Sequence, residues 1–341
     1  MQQAEGALTD PEAEVEPSAV PGIDSVAPWH HPWRAWRAIL GRIYVMNGYH
    51  NLFLLAAGVA FFAFLSFVPL LAAVVMTYGL VADPSTVSEH MQTIMRLVPG
   101  DAAKLIEDQL LAIVTANKSQ ISLGFVVALV LAIYGATRAS SAVISALSVI
   151  YEEQDDRSLL AYYGVSIRIT LIAVLAGVVG LFAAILLGYL RDAAGVLGQA
   201  GVVVVQVLTW LVAATIATLS FAYAYRYGPD RANARWQWLL VGSVAATLLW
   251  LAATLLFGVY VANFAHYNAT YGSLGAVVAL LMWLWVSAYA VLIGGEINAE
   301  AERQTGVDTT AGPPRPRGER GATMADTLPS HHQKKPRRDR Y

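Results

Sequence analysis

Cysteine is absent from this chain of 341 residues, which excludes disulfides and thiol chemistry. Charge is scarce. Asp, Glu, Lys and Arg make up 13% of the residues and hydrophobic side chains 57%, with a mean hydropathy of +0.52. Soluble domains average about 25% charge, and a soluble core of this size does not require such depletion. Nor is there a phosphate-binding glycine loop, a Gly-x-Ser-x-Gly elbow or a His-Glu-x-x-His zinc motif. The first 28 residues have no apolar stretch behind a basic start, so no cleaved signal peptide is expected there.

The depletion is sharpest from Trp236 to Gly295, 60 residues without one Asp, Glu, Lys or Arg. As a single helix they would extend about 90 Å at 1.5 Å per residue. A bilayer core is about 30 Å and takes roughly 20 residues, so the stretch must fold back. The polar run Asn263 to Ser273 is the place for it. Two spans follow, about 238–262 and 273–295. Four more precede them: one within 51–82 containing Pro69, which should kink it, then about 119–151, 169–190 and one within 195–225. Trp29, Trp33, Trp36 and Ile39 recur at helical spacing among Arg34, Arg37 and Arg42, as in a helix lying in the lipid interface. Residues 83–118 mix polar and apolar positions about a Pro99-Gly100-Asp101 break and read as a helical hairpin outside the bilayer. The expected fold is therefore all-α, a polytopic membrane protein with six transmembrane helices, an interfacial N-terminal helix and an extracytoplasmic helical hairpin. Residues 29–300 form the membrane domain. An acidic tail (1–28) and a basic tail (301–341) are too polar to order themselves.

Six spans place both termini on one side. Seventeen of the 22 Lys and Arg fall on the segments sharing that side and four on the opposite one, with Arg138 inside a span, so the positive-inside rule puts both termini in the cytoplasm.

Several motifs resemble one family. Tyr225-Arg226-Tyr227-Gly228-Pro229-Asp230 precedes a Trp-rich helix start, Tyr267 to Ala276 opens the sixth span, and Gly294-Gly295-Glu296-Ile297-Asn298-Ala299-Glu300 closes it. Ser66-Phe67-Val68-Pro69-Leu70, Tyr134-Gly135-Ala136-Thr137-Arg138 and Ala146 to Tyr151 agree with them. Over about 40–300 the chain resembles the YihY/BrkB family of bacterial inner-membrane proteins, once labelled ribonuclease BN. Ser148 stands where that pattern has Asn, and the 152–156 loop is more acidic than usual. The resemblance implies a six-helix, multi-pass protein of the bacterial inner (plasma) membrane, with a role in envelope transport.

Arg138 is the sharpest chemical signal, because a charge within a span costs roughly 2.5–3.5 kcal/mol on insertion scales. Tyr134, Arg138, Ser141, Ser145 and Ser148 share one helix face. Two readings stay open: a stripe lining a substrate path, or an arginine that locks helices together. Glu296 is the candidate counter-ion, the alternative being a carboxylate that simply ends its helix. Asn263, His266, Asn268 and Tyr271 lie in an outer turn that either binds a head group or closes on itself. Ala176, Gly180, Ala184 and Gly188, and again Gly242 and Ala246, are small-residue rows suited to close helix packing. The acids at 152, 153, 155 and 156 either hold a cation or form a solvated loop. His30-His31 read as idle.

The function expected is a transporter or flippase-like protein, with membrane lipids as its surroundings and an anionic lipid or amphiphile as substrate. The alternatives are a non-transporting scaffold in envelope assembly and a ribonuclease. No enzyme activity, cofactor, metal or specific nucleic acid is expected, and the sequence leaves an oligomer open.

Overall fold

The computed structural model describes residues 20–81, 118–194, 198–264 and 273–329. Helix α1 is Trp33–Tyr49, α2 Leu52–Val81, α3 Lys118–Ile150, α4 Leu159–Ala194, α5 Gln199–Tyr227, α6 Trp236–Phe264, α7 Ser273–Arg303 and α8 Thr323–Asp326. The expected hairpin over 83–118, apart from Lys118, lies outside the described residues. Five of these helices are long and apolar enough to cross a bilayer, and α1 with the first half of α2 makes a sixth, bent by 63°. The bend falls at His50 and Asn51, and Asn51 takes φ +51°, which asparagine tolerates better than most residues. The chain is an all-α, multi-pass membrane protein. Its lipid-facing surface is apolar: Leu171, Val174, Leu175, Val178 and Phe182 of α4 and Val203, Val204, Val207 and Leu211 of α5 are all exposed.

The starts of α2, α4 and α6 and the ends of α3, α5 and α7 meet at one end of the bundle, here called the base. The tightest crossing there joins α6 to α7. A Cβ added at Gly294 would lie 2.5 Å from the Gly242 carbonyl oxygen, and one added at Gly242 would collide with the Gly294 carbonyl. Asn298 secures this contact from inside α6. Its Oδ1 accepts from Gly242 N at 2.7 Å and its Nδ2 donates to Leu239 O at 3.0 Å. The expected close packing at Gly242 and Ala246 is therefore present.

Helix α1 departs from the expectation of a purely interfacial helix over His30–Arg42. Its buried face of Ala35, Ile39, Ile43 and Met46 packs on the end of α7 at Ile297 and Ala301, while Trp33, Leu40 and Tyr44 stay exposed.

The tails need the larger correction. α7 runs to Arg303, and residues 304–329 fold back across the base instead of forming a disordered tail from 301. Thr310 pairs with Ala234 in an antiparallel bridge, Arg235 N donates to Thr309 O at 2.9 Å, and Met324 is fully buried. Residues 20–32 join them: Gly306 N donates to Ile23 O at 2.7 Å and Gln304 Nε2 to Pro21 O at 2.7 Å. Arg320 fixes the knot by donating to the carbonyls of Ala325 and Gly306 at 2.7 and 2.8 Å. Asp308 does the same for the turn. Burial pushes its carboxyl up, but the N–H groups of Thr310 and Arg315 outweigh that and hold it below the usual range. The composition concealed this order because these residues bury backbone and polar groups, not an apolar core.

His31 is not idle. It is buried between Trp36 and Trp238, and its Nε2 lies 3.2 Å from Ala301 O, so Nε2 carries the proton. Nδ1 is buried without a partner. Burial lowers this imidazole below its ordinary 6.5, so the fold favours the neutral form. That stabilisation is full above pH 6.5 and declines as pH falls through the folded value. Hydrogen-exchange protection factors at residues 20–32, corrected for the intrinsic rate, should fall on acidification below pH 6.5, and His31→Gln should remove most of that fall.

Gly242→Ala or Gly294→Ala should each cost about 1–3 kcal/mol through overpacking, read as a lower melting temperature in detergent. Gly188→Ala, with open space around its Cβ position, should not.

Candidate functional site

Two features converge at the base. One is a buried ionic cluster on the last two turns of α7; the other is an apolar chamber directly above it.

The helix does not end at Glu296, because the carboxylates of 296, 300 and 302 are each matched by a group from another element. Glu296 Oε2 lies 3.0 Å from His50 Nδ1 at the α1–α2 bend. Arg42 Nε of α1 pairs with Glu300. Arg231, from the α5–α6 loop, makes a bidentate pair with Glu302 at 2.8 and 3.0 Å and stacks its guanidinium 4.1 Å over the Tyr151 ring. Both partners of that pair are fully buried. Burial disfavours the Arg231 cation, but the Glu302 carboxylate more than compensates and holds it above its ordinary value. Arg303 bridges Glu152 at 2.6 Å and Glu300 at 3.4 Å.

Glu152, just past α3, sits at φ +53°, a conformation that side-chain-bearing residues rarely adopt. The strain aims its carboxylate at Arg303, and leaves Oε1 4.0 Å from His50 Nε2. Glu153 turns the other way and accepts from Thr323 N at 2.7 Å; burial raises its carboxyl above the usual range. Asp155 pairs with Arg157, which also donates to Gly228 O at 2.9 Å. The acidic loop is thus tied into the base and is not freely solvated. Among the described residues no three His, Asp or Glu side chains are grouped to hold a metal ion.

The chamber has a volume of about 610 Å³. α4 packs on α3 and α5, and α5 on α6, but neither packs closely on α7, and the chamber fills the space between. Ala173, Ala176, Gly177 and Gly180 of α4 form one wall, Ala213, Ala217 and Ser220 of α5 the next, with Val59, Val143 and Trp250 beyond them. Trp283, Ser287 and Leu292 of α7 close the inner side. None of the lining side chains is ionisable. The glycines of the expected α4 small-residue row do not serve helix contact: Cβ atoms added at Gly180 or Gly188 would meet nothing within 4 Å, and the same holds at the neighbouring Gly177.

The expected path residues lie elsewhere. Ser141 Oγ is 2.9 Å from Thr137 O and 3.0 Å from Ser166 Oγ, Ser145 Oγ is 3.2 Å from Tyr162 OH, and Ser140 pairs with Thr170 at 2.8 Å. Ser140 and Ser141 thus form a packed polar seam with Thr170 and Ser166 of α4, while Ser145 stays exposed beside Tyr162. Arg138 donates to Tyr163 OH at 3.4 Å, and its guanidinium lies 5.9 and 5.8 Å from the Phe62 and Tyr134 rings. Its five-residue offset from Val143 places it about 140° round α3 from the chamber wall, at 3.6 residues per turn. Arg138 and Glu296 do not pair: Glu296 meets His50 instead. Tyr134 is exposed, and Ser148 is buried with no hydrogen bond to its Oγ. Asn263 lies in the last turn of α6, and His266, Asn268 and Tyr271 lie outside the described residues. The residues missed from sequence were His50, Arg42 and Arg303, whose partners lie roughly 250 or 150 positions away. The closing motif was visible, but not who answers its carboxylates.

A family model described as Virulence factor BrkB matches residues 47–319. The chain belongs to that family. It is 27% identical over 252 residues to a Bacillus subtilis protein named putative ribonuclease-like protein YfkH, covering 72% of this chain and 88% of that one. A UPF0761 membrane protein of Tolumonas auensis is 42% identical over 65 residues, 19% of this chain and 22% of its own. A UPF0761 membrane protein of Rhodospirillum centenum is 34% identical over 110 residues, 32% and 24% of the two chains. No solved structure matches. The family match encloses both the closing motif on α7 and most of the folded arm.

Breaking one half of the buried Arg231–Glu302 pair should be severe. Arg231→Ala should cost about 3–5 kcal/mol by leaving Glu302 unpaired, whereas an apolar double replacement, Arg231→Met with Glu302→Leu, should recover most of it. Thermal unfolding of the single and double variants checks this.

Proposed function

We propose that this protein is a transporter or flippase-like protein that moves a lipid or similar amphiphile in the bacterial envelope without hydrolysing ATP. The chamber carries the reading. Its volume lies in the range of small-molecule pockets, about 300–1,000 Å³, its lining is free of charge, and one wall is built of Ala and Gly where bulkier side chains would fill the space. Such a site suits the hydrocarbon part of a ligand. A charged head group would lie outside this uncharged chamber, toward the polar surface of the membrane. We place the base on the cytoplasmic side of the inner membrane, following the distribution of Lys and Arg.

A second reading, a non-transporting scaffold, draws support from the polar seam of α3 and α4, where residues expected to line a path are engaged in helix contact. We read the chain as non-enzymatic despite the ribonuclease-like name of one relative. The acids a nuclease would need at 152 and 153 are committed to Arg303 and to the Thr323 amide.

The test uses purified protein in vesicles containing tail-labelled fluorescent phosphatidylglycerol. The wild type should bind the probe and speed its movement between leaflets. Gly180→Trp, which has room to enter the chamber, should weaken binding at least tenfold, about 1.4 kcal/mol, with the melting temperature unchanged. Arg138→Ala should leave chamber binding intact. A wild type that neither binds nor moves the probe would favour the scaffold.

A further inference from the structure

The basal cluster has an odd number of charges. Glu296, Glu300 and Glu152 face Arg303 and Arg42, three carboxylates against two guanidiniums. The Arg231–Glu302 pair is balanced by itself. Glu152 is partly exposed, but Glu296 is fully buried with no arginine in its ion pair, where an unmatched charge is costly; one extra proton neutralises the set. His50 is the remaining titratable partner. Its side chain is 2% exposed and that of Glu296 is 0%, and the two meet at 3.0 Å. Glu296 Oε1 and His50 Nε2 are both buried with no hydrogen-bond partner, so the pair has spare sites for protons.

A route to solvent is present. Glu152 Oε1 lies 4.0 Å from His50 Nε2, within reach of a small side-chain movement, and the Glu152 side chain is 32% exposed. The three groups form a line from a fully buried carboxyl, through an imidazole, to a carboxylate at the surface. Backbone strain at Glu152 holds the outer member in place.

The inner end of that line is coupled to the chamber. Leu292, on the chamber's inner side, is one turn from Glu296 on α7, about 6 Å along the axis. His50 precedes α2, whose Val59 lines the chamber. The α1–α2 bend rides on α7 through Tyr289 OH, which donates to Asn47 Oδ1 at 2.9 Å, and through Phe53, stacked on Tyr289 at 4.5 Å. The His50–Glu296 contact is therefore part of the joint between the two helices that bound the chamber.

We propose that His50 and Glu296 form a proton-exchange site, with Glu152 as its relay to solvent, and that it gives up or takes on one proton as the chamber fills or empties. The bound proton sits between Nδ1 and Oε2; on release it passes through the imidazole and leaves Nε2 for Glu152 and water. Coupling of this site to a ligand rests on the chamber reading, but the site itself does not.

Two measurements separate them. Infrared difference spectra of the purified protein recorded across a pH titration should show a protonated-carboxyl band that vanishes in Glu296→Gln and whose midpoint moves in His50→Gln. A band that survives Glu296→Gln, or no titrating band in the wild type, overturns the site. In weakly buffered medium with a pH-sensitive dye, binding of tail-labelled phosphatidylglycerol should displace about one proton per probe. In Glu296→Gln the probe should still bind with no proton displaced, and Gly180→Trp should keep the infrared band while losing binding. Binding without proton displacement in the wild type overturns the coupling and leaves the chamber reading standing. If the probe does not bind at all, the chamber reading falls and the coupling with it, while the infrared band still decides the site.

Discussion

Everything at the base depends on the need to neutralise the acids on the last two turns of α7. Glu296, Glu300 and Glu302 are fully buried, and a carboxylate in that position persists only if a cation or proton answers it. The answers come from the α1–α2 bend, from α1, from the α5–α6 loop and from Arg303 of α7 itself, which also ties in Glu152 just past α3. Four separate parts of the chain are thus tied to one helix end. The Gly242–Gly294 crossing allows it, because only backbones in contact bring the start of α6 close enough for Asn298 to enter. The folded arm then covers the assembly, with Thr309 Oγ1 donating to Glu302 at 3.1 Å.

The bundle is therefore unevenly held. Its base is fastened by ion pairs, a glycine crossing and residues 304–329, whereas α4 and α5 touch only their neighbouring helices and bury few residues over their apolar lengths. Hydrophobic burial cannot fasten those two helices in a bilayer, since lipid tails are as apolar as leucine. Where small residues meet a partner backbone, as at Gly242, they tighten the structure; where they meet none, as at Gly177 and Gly180, they leave room. The same residue type serves fixed packing at one place and open volume at the other, and the difference lies in the partner, not in the helix that carries it.

That distinction marks how far the chain could be read from its letters. Hydropathy placed the spans, because a bilayer imposes a length and an uncharged stretch of 60 residues has no other solution. The closing motif was visible as a pattern. Composition misjudged the tails: a segment rich in Pro, Gly and Arg orders itself here through backbone pairing and buried ion pairs, which composition does not register. Arg138 drew attention because charge in a span is rare, yet it turns toward Tyr163 and away from the chamber. His50 drew none. A lone histidine beside an uncharged helix has no local signature, and its meaning comes from Glu296, 246 residues on.

An ion cluster of this kind is a poor way to gain stability, because well-packed apolar side chains of similar size usually do as well or better. The strain at Glu152 points the same way. A glycine or asparagine would take φ +53° at less cost, so what the site gains from glutamate is a carboxylate at that spot. Its exposed carboxylate and the buried Nε2 edge of His50 face each other across 4.0 Å, within reach of a small side-chain movement and too far for a firm bond. A cluster built only to fasten helices would close that gap and balance its charges without a histidine. The open link and the missing positive charge occur at the same point, and that coincidence is what a group meant to gain and lose a proton requires.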